Sequence, residues 1–444
     1  MNKKIRSIIK VVSISTFVLA ACATALQAAP QEESTPVEAE VQNTPQTNPS
    51  KEGTPVQEKV ETSDVSATVE TEPVESTEPV QSEPPSRDVL LDPDEKPPSG
   101  TQNEFSTDFS VHTVPYSEIL SGGPPKNGIP AVDDPQFISI EEADEWLEPL
   151  EPLIFFKVGD DARAYPIQIL MYHEIVNDIV GDVPVVVTFC PLCNTGIAFE
   201  RTVDGEVLDF GTTGRLRFSN LIMYDRQTET WWQQASGEAI AGDLTGTQLA
   251  FLPASIISWE EFKSSFPDGT VLSRETGFNR SYGRNPYTGY DNINNSPFLY
   301  RGPSTPDELP PVARVLTVDL GAEAVAYSYL TLEEIHVAND TVAGQYIVVF
   351  WQTGTASALD VGTVAGGRDV GTANAFSREV DGQTLTFSYD GSNILDDQTG
   401  SEWDVLGKAL SGELEGTQLE PVVAVNHFWF SWAAFKPETR IYQP

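Results

Sequence analysis

Apolar residues are concentrated in two long runs that lie far apart in the chain. Residues 183–189 read VPVVVTF, and residues 346–351 read YIVVFW. Runs that are apolar at nearly every position are typical of strands buried on both faces. Shorter segments follow each run and are separated by turns, among them Asp204-Gly205 and Asp381-Gly382, which favour hairpins. The pattern therefore predicts a fold that is mainly β-structure.

Helical patterns are short and few. Ser258 and Glu261 have the spacing of a capping box, and the aromatic residues that follow Ser258 lie on one helical face. Residues 429–432 repeat this aromatic spacing, so we expect a short helix to close each β-rich segment. We also expect a short helix or helical turn at the segment that contains Asn177 and Asp178, directly before the first apolar run.

The two β-rich segments resemble each other. Residues 164–178 align without gaps with residues 326–340, and each of these segments precedes one of the apolar runs. The match resumes at 228–232 against 399–403, and at 242–249 against 412–419. Self-similarity at a fixed spacing indicates a duplicated structural unit.

We therefore expect an α+β fold dominated by β-structure. It consists of two tandem β-rich repeats related by internal duplication, each with short helices, preceded by a disordered tether. The expected boundaries are 105–278 for the N-terminal repeat, 279–311 for a connector rich in Asn, Gly, Pro and Tyr, and 312–444 for the C-terminal repeat.

The first hundred residues have a different character. Residues 1–22 combine a basic head with an apolar stretch too short to span a bilayer comfortably, which predicts a secretion signal. The signal ends in LAAC, which resembles the lipobox of bacterial lipoproteins, so we expect Cys22 to carry a lipid. The alternative is ordinary cleavage near residues 23–29, which gives a soluble secreted product. Residues 23–104 are acidic and rich in Pro, Glu and Thr, and predict the disordered tether.

Charge narrows the choice of partners. The chain has 66 Asp and Glu residues against 26 Lys and Arg, a formal net charge of −40 at pH 7. Such a surface repels nucleic acid and anionic membranes. Together with the predicted secretion signal, this charge leads us to expect an extracytoplasmic protein of the cell envelope. It contacts a membrane through its lipid anchor only. Its functional partner is then a small substrate or a redox protein.

The candidate chemistry lies at the end of the first apolar run. Cys190 and Cys193 form a Cys-x-x-Cys pair, whereas the equivalent turn of the second repeat, which begins at Gln352, contains no thiol. A pair that occurs once in a duplicated scaffold indicates a specialised site, and a disulfide closing so small a loop adds little stability. Thiol-disulfide redox chemistry is the leading hypothesis, with Cys190 as nucleophile and Cys193 as resolving partner, although these roles could be reversed. A helix beginning after the pair would lower the thiol pKa.

His173 and Glu174 are the candidate proton-handling residues. His173 precedes the thiol-bearing strand, and its counterpart in the second repeat is Ile335, so it shares the asymmetry of the cysteines. The same histidine supports a second hypothesis, in which Cys190, Cys193 and His173 bind copper or, less suitably, zinc. A third hypothesis is a non-catalytic surface binding module.

Six sequence blocks together resemble a known family. They are GGPPKNGIP at 122–130, ARAYP at 162–166, HEIVND at 173–178, CPLCNT at 190–195, MYDRQT at 223–228 and FWFSWAAF at 428–435. These blocks are similar to the bacterial and archaeal family called domain of unknown function 3179, and the resemblance covers nearly all of residues 122–442. The family has no established reaction. Some members are catalogued as candidate selenoproteins with selenocysteine in this Cys-Pro-Leu-Cys motif, which implies redox use of Cys190 or Cys193.

Overall fold

The structure is a computed structural model, and it describes residues 94–444. The predicted signal at 1–22, the lipid-bearing Cys22 and residues 23–93 of the predicted tether lie outside the described residues. Residues 94–104 are described, and they contain the helix α1 (Thr101–Glu104). Thr101 is buried, and the Glu104 carboxylate pairs with Arg215 at 2.8 Å. The folded part therefore begins earlier than residue 105, where the sequence places the end of the tether.

A segment of little regular structure precedes the duplicated part of the first repeat. After α1 come a 3₁₀ turn (Tyr116–Glu118), β1 (Ile119–Ser121), β2 (Phe137–Ile138) and α2 (Ile140–Asp144). Ser139 caps α2 through a capping box with Glu142. Both short strands add to sheets of the first repeat, β1 beside β10 and β2 beside β16, whose ranges follow below.

From β3 onward, the first repeat contains fourteen strands and two helices among the described residues. They are β3 (Pro152–Val158), β4 (Asp161–Pro166), α3 (Ile167–His173), β5 (Ile175–Val180), β6 (Val183–Cys190), β7 (Thr195–Glu200), β8 (Thr202–Val203), β9 (Glu206–Val207), β10 (Phe210–Arg217), β11 (Asn220–Asp225), β12 (Trp231–Gln233), β13 (Glu238–Ala241), β14 (Phe251–Leu252), β15 (Ala254–Ser258), α4 (Trp259–Ser265) and β16 (Thr270–Leu272).

The second repeat has the same order with one short strand fewer. It contains β17 (Arg314–Asp319), β18 (Ala324–Ser328), α5 (Tyr329–Ile335), β19 (Val337–Val342), β20 (Gln345–Gln352), β21 (Thr372–Ser377), β22 (Glu379–Val380), β23 (Gln383–Thr384), β24 (Phe387–Tyr389), β25 (Ile394–Asp396), β26 (Glu402–Trp403), β27 (Ala409–Ser411), β28 (Ala424–Phe428), α6 (Trp429–Ala433) and β29 (Arg440–Ile441). The predicted β-dominated fold of two duplicated repeats is confirmed.

Strand pairing shows that the repeats share one topology. The first repeat pairs β15, β3, β4 and β16 in that order, and the second pairs β28, β17, β18 and β29 in the same order. In both sets only the last pair is parallel. A matching side-chain contact follows, because Tyr165 donates to Asp178 at 2.6 Å and Tyr327 donates to Asp340 at 2.8 Å.

One sequence expectation about helices is wrong. Residues 173–178 do not form a helix, since α3 ends at His173 and residues 175–180 form β5. Glu174 adopts the left-handed conformation with φ of 59°, which ends the helix. The β-branched residues that follow favour a strand. The two predicted closing helices are present as α4 and α6, and Ser258 caps α4 by accepting the Glu261 N–H.

The repeats join through reciprocal contacts. Strand β28 of the second repeat pairs with β7 of the first through Asn426 and Gly196, which produces a sheet ordered β29-β18-β17-β28-β7-β6-β5. In the equivalent place, Thr372 of β21 donates to the carbonyl of Ile256 in β15 at 3.2 Å. A Cβ atom on Gly196 of β7 would lie 2.9 Å from the end of the Ile154 side chain of β3, so a larger residue would force that side chain to shift.

The connector joins the repeats without regular structure of its own. Between β16 and β17 the described residues form turns, bends and one isolated β-bridge, from Arg284 to Thr363. Among residues 94–444, no helix has the length and apolar character needed to cross a membrane.

Candidate functional site

The two cysteines lie at the tight turn of a β-hairpin. Cys190 is the last residue of β6 and faces Thr195, the first residue of β7. Within the turn, the N–H of Cys193 donates to the Cys190 carbonyl at 3.2 Å. The expectation that a helix begins after the pair is wrong, because a strand follows. No helix N-terminus therefore stabilises a thiolate at this turn.

Both cysteines are reduced and buried. Cys190 is 2% exposed and Cys193 is 0% exposed, and neither forms a disulfide. Both thiols donate to the same acceptor, the Ser219 carbonyl oxygen, which lies 3.7 Å from Cys190 Sγ and 3.2 Å from Cys193 Sγ. A shared acceptor holds the two sulfurs side by side in the dithiol form.

The Ser219 carbonyl, which accepts hydrogen bonds from both thiols, belongs to a strained turn. Phe218 and Ser219 link β10 to β11, and their φ angles are 53° and 65°. A two-residue hairpin turn of this geometry normally uses Asn or Gly, because other side chains are disfavoured at positive φ. Strain of this kind costs on the order of 1–3 kcal/mol per residue and is concentrated at functional sites. Here it places a carbonyl oxygen against the two sulfurs.

Glu174 is the carboxyl group associated with the thiols. Its backbone closes α3 by donating to Leu170 O at 2.7 Å and accepts from Phe189, the residue before Cys190, at 2.8 Å. Burial raises the pKa of Glu174 to about 8. A carboxyl group with this pKa is mostly protonated at neutral pH and exchanges its proton in the weakly alkaline range.

The surroundings of Cys190 favour the protonated form of its thiol. Burial raises the pKa of the Cys190 thiol well above its usual range, and the Cys193 thiol and the Glu174 carboxylate raise it further. The backbone N–H of Leu221 acts in the opposite direction, but its effect is smaller. The thiolate needed for exchange therefore requires a change in the surroundings of Cys190 or a proton acceptor beside it.

The connector contributes two tyrosines that the sequence gave no reason to select. Tyr290 donates to the Leu192 carbonyl at 2.8 Å, inside the Cys-x-x-Cys turn. Tyr287 packs against the same apolar cluster as both cysteines. Burial is the main cause that raises the pKa of each phenol, and the nearby Glu174 and thiols add to it. The Tyr-rich composition of the connector is visible in the sequence, but no periodicity shows where its rings pack.

A histidine from the second repeat also reaches this turn. His427 Nδ1 lies 2.8 Å from Thr195 Oγ1, and the N–H of Phe428 donates to the Cys193 carbonyl at 2.7 Å. His427 is fully buried, and burial lowers its pKa to about 3, so the ring is neutral. Its Nε2 atom has no hydrogen-bond partner. His427 is distant from the cysteines along the chain. The pairing of β28 with β7 brings it to the turn that contains them.

His173 has other partners. Its Nδ1 donates to the Pro130 carbonyl at 2.7 Å, and its Nε2 accepts from the Tyr282 hydroxyl at 2.6 Å. Burial is the main cause that lowers its pKa. The structure thus brings together Cys190, Cys193 and Glu174 among the predicted site residues, while His173 is bonded to Pro130 and to the start of the connector.

The ligands of the copper or zinc hypothesis are not gathered in the part of the chain that the structure describes. There, no group of three or more His, Cys, Asp or Glu side chains lies close enough together to hold a metal ion. Two thiols without a third firm ligand make an incomplete site for either metal.

The second repeat shows how this site became specialised. His336 occupies the position of Glu174, with the same left-handed backbone (φ of 61°) and the same hydrogen bond, to Leu332 O, at 2.7 Å. Gln352 ends β20 where Cys190 ends β6. The backbone is therefore duplicated, while the thiols and the buried carboxyl group occur in the first repeat.

Comparison with known proteins gives a family without a described activity. The sequence model of the family described as "Protein of unknown function (DUF3179)" matches residues 126–439, which include both repeats and the connector. No curated protein and no solved structure matches the chain. Since the match covers well over half of the sequence, the chain belongs to the DUF3179 family.

Proposed function

We propose that the protein carries out thiol-disulfide exchange through Cys190 and Cys193. The observation that carries this proposal is the shared Ser219 carbonyl, which accepts from both free thiols, while the buried Glu174 carboxyl group acts on Cys190 electrostatically. Two adjacent thiols form a disulfide without a large backbone movement. A purely structural role explains neither their presence in the first repeat alone nor the carboxyl group beside them.

The exchange consists of two displacements. Cys190 passes its proton to the Glu174 carboxylate, and the resulting thiolate attacks one sulfur of a disulfide-bearing partner. The partner S–S bond breaks, the first partner sulfur leaves and takes up a proton, and a mixed disulfide remains on Cys190. Cys193 then loses its proton and attacks the Cys190 sulfur, which releases the second partner thiol. Two electrons and two protons have moved to the partner, and Cys190 and Cys193 are joined.

Glu174 suits the role of proton acceptor. Burial raises its pKa to about 8, so the carboxylate form that can accept a proton is present in weakly alkaline solution. Because only the carboxylate accepts the proton, we expect the exchange rate to increase as pH rises towards 8. Substitution of Glu174 by Gln should reduce the rate on the order of 10²-fold, the usual contribution of a general base.

Trapping the mixed disulfide tests the proposal. Reduced protein is incubated with a small aromatic disulfide, quenched with acid, and the cysteine-containing peptides are identified by mass spectrometry. We expect Cys193→Ser to accumulate the adduct on Cys190, and Cys190→Ser to form little adduct. The opposite pattern would exchange the two roles.

A redox titration of the wild-type protein completes the test. We expect a two-electron couple in the range of exchange enzymes, about −120 to −270 mV. A potential below about −300 mV, as in inert structural disulfides, combined with no adduct in either variant, would refute the proposal.

We further propose that the protein works in the cell envelope, outside the cytoplasm, anchored to a membrane by a lipid on Cys22. Its partner is then an extracytoplasmic protein or small molecule that contains a disulfide, and nucleic acid is not a partner. Incorporation of a labelled fatty acid into the wild-type chain, and its loss in Cys22→Ala, would support the anchor. Equal release of both forms into the medium would contradict it.

A further inference from the structure

The thiols are covered by one part of the connector, residues 287–299, which we name the cap. Tyr287, Tyr290 and Leu299 pack against the apolar cluster that contains both cysteines. The Tyr290 hydroxyl donates to Leu192 O at 2.8 Å, so the cap is bonded directly to the turn between the cysteines. Cys190 is 2% exposed and Cys193 is 0% exposed, so a partner disulfide reaches either sulfur only after a movement of the residues around them.

The distal end of the cap comprises residues 292–299. Two further hydrogen bonds, both made by Phe298, hold it in place. The N–H of Phe298 donates to the Tyr290 hydroxyl at 3.3 Å, and the Phe298 carbonyl accepts from Ser219 Oγ at 2.7 Å. Ser219 is also the residue whose carbonyl accepts both thiols. The closed cap and the dithiol therefore share Ser219 as a common partner.

The proximal end rests on a long loop of the second repeat, residues 353–371, which we name the brace. In the first repeat the equivalent segment is the four-residue turn 191–194. Backbone N–H groups of the connector bond to the brace, from Asn285 to Gly362 O at 3.1 Å and from Tyr290 to Leu359 O at 3.2 Å. This end is thus anchored by main-chain contacts.

An ion-pair cluster strengthens the proximal anchor. The Asp291 carboxylate is fully buried and pairs with Arg314 and Arg368, each at 2.9 Å. It also accepts a hydrogen bond from Ser357 of the brace. Removing a buried charge from two partners is costly, so Asp291 stays in place when weaker contacts break.

The distal end has a weaker hold. Its asparagines at 292, 294 and 295 are exposed, and Phe298 is 56% exposed although it is a large apolar residue. Residues 292–299 lack strand or helix hydrogen bonds. Regions with few buried apolar contacts and exposed backbone open locally at the lowest free-energy cost.

We propose that the cap is a gate. Its distal end releases from Tyr290 and Ser219 while Asp291 and the preceding residues remain on the brace, and this movement opens a path to Cys190 and Cys193. The purpose of the gate rests on the proposed exchange function. The opening itself is a property of the reduced protein and can be measured without any redox partner.

Alkylation of the reduced, native protein measures the opening. The rate at which N-ethylmaleimide modifies Cys190 and Cys193 is followed by peptide mass spectrometry in the full chain. Tyr290→Phe removes the hydroxyl that bonds both Leu192 and Phe298, so we expect modification to be on the order of tenfold faster than in the wild type. Tyr300→Phe is the matched control, because the Tyr300 hydroxyl bonds to Pro303 O and to Thr305, which both lie within the connector. We expect the control to react at the wild-type rate.

The dependence on urea separates a gate from global unfolding. Local opening exposes little surface, so the modification rate should be nearly constant at low urea and rise steeply only near the unfolding transition. A slope equal to that of global unfolding at all urea concentrations, or a wild-type rate in Tyr290→Phe, would overturn the gate. If Tyr290→Phe reacts faster but no mixed disulfide forms with the aromatic disulfide, the gate stands and the exchange function fails.

Discussion

The buried carboxyl group of Glu174 makes the stability of this protein depend on pH in a direction that can be calculated. Glu174→Gln replaces it with an amide of nearly the same shape that has no proton to lose. In the folded wild type the pKa is raised by burial from 4.5 to about 8. Between these two values the folded state keeps the proton and the unfolded state releases it. The unfolded state is therefore increasingly favoured as pH rises through this window.

The magnitude follows from the difference between the two pKa values. Each pH unit between 4.5 and 8 removes about 1.4 kcal/mol of wild-type stability, and the total loss is about 5 kcal/mol. Above pH 8 both states are ionised and the loss stops increasing. We expect Glu174→Gln to match the wild type near pH 4.5 and to exceed its unfolding free energy by about 5 kcal/mol at pH 8.5.

Urea unfolding at half-unit pH steps from 4.5 to 9, followed by tryptophan fluorescence, measures the difference between the two proteins. Subtracting the curves removes contributions that both share, including that of Glu151, whose pKa burial raises to about 7. Glu145→Gln is the matched control, since Glu145 is exposed, and we expect it to follow the wild type. A constant difference between Glu174→Gln and wild type at every pH would refute a buried, protonated carboxyl group at this position.

Three further predictions concern the contacts that support the site. His427 has a pKa lowered to about 3, so we expect wild-type stability to fall as pH drops from 6.5 towards 3, and His427→Gln to reduce this loss in acid unfolding curves; an unchanged slope would contradict a neutral buried ring. Gly196→Ala should lower the unfolding free energy by about 1–3 kcal/mol, because its methyl group would meet the Ile154 side chain, and equal urea midpoints would show that this side chain moves aside at no cost. Asp291→Asn leaves Arg314 without its carboxylate and Arg368 with Asp360 alone, and should cost about 3 kcal/mol in urea unfolding; a cost below about 1 kcal/mol would mean that the anchor of the cap is weak.

The duplicated fold could be predicted because its signals are local and repeated. The two apolar runs become β6 and β20, and the aromatic spacing after each repeat becomes α4 and α6. The segment at 173–178 was misjudged because its helix lies earlier and Glu174 ends it at positive φ, a conformation that sequence alone does not indicate for glutamate. Propensity is a weak guide where tertiary contacts fix a single residue in an unusual conformation.

The candidate site could be predicted only in part. The Cys-x-x-Cys pair and Glu174 lie within twenty residues of one another, and their absence from the second repeat is visible in the sequence. Tyr290, Ser219 and His427 reach the same turn from three different parts of the chain. Their approach depends on strand pairing and on the path of a connector without regular structure, and neither leaves a periodic pattern.

The sequence by itself determined that this chain has two β-rich repeats and one specialised pair of thiols, because apolar periodicity and residue identity are properties of short segments. Tertiary structure decided that the pair is buried, reduced and bonded to a single carbonyl, and that His173 has other partners. It also decided that the connector covers the thiols and rests on a loop of the second repeat. Burial, pKa and access are set by contacts between residues distant in the chain, and these contacts exist only after the two repeats have packed together.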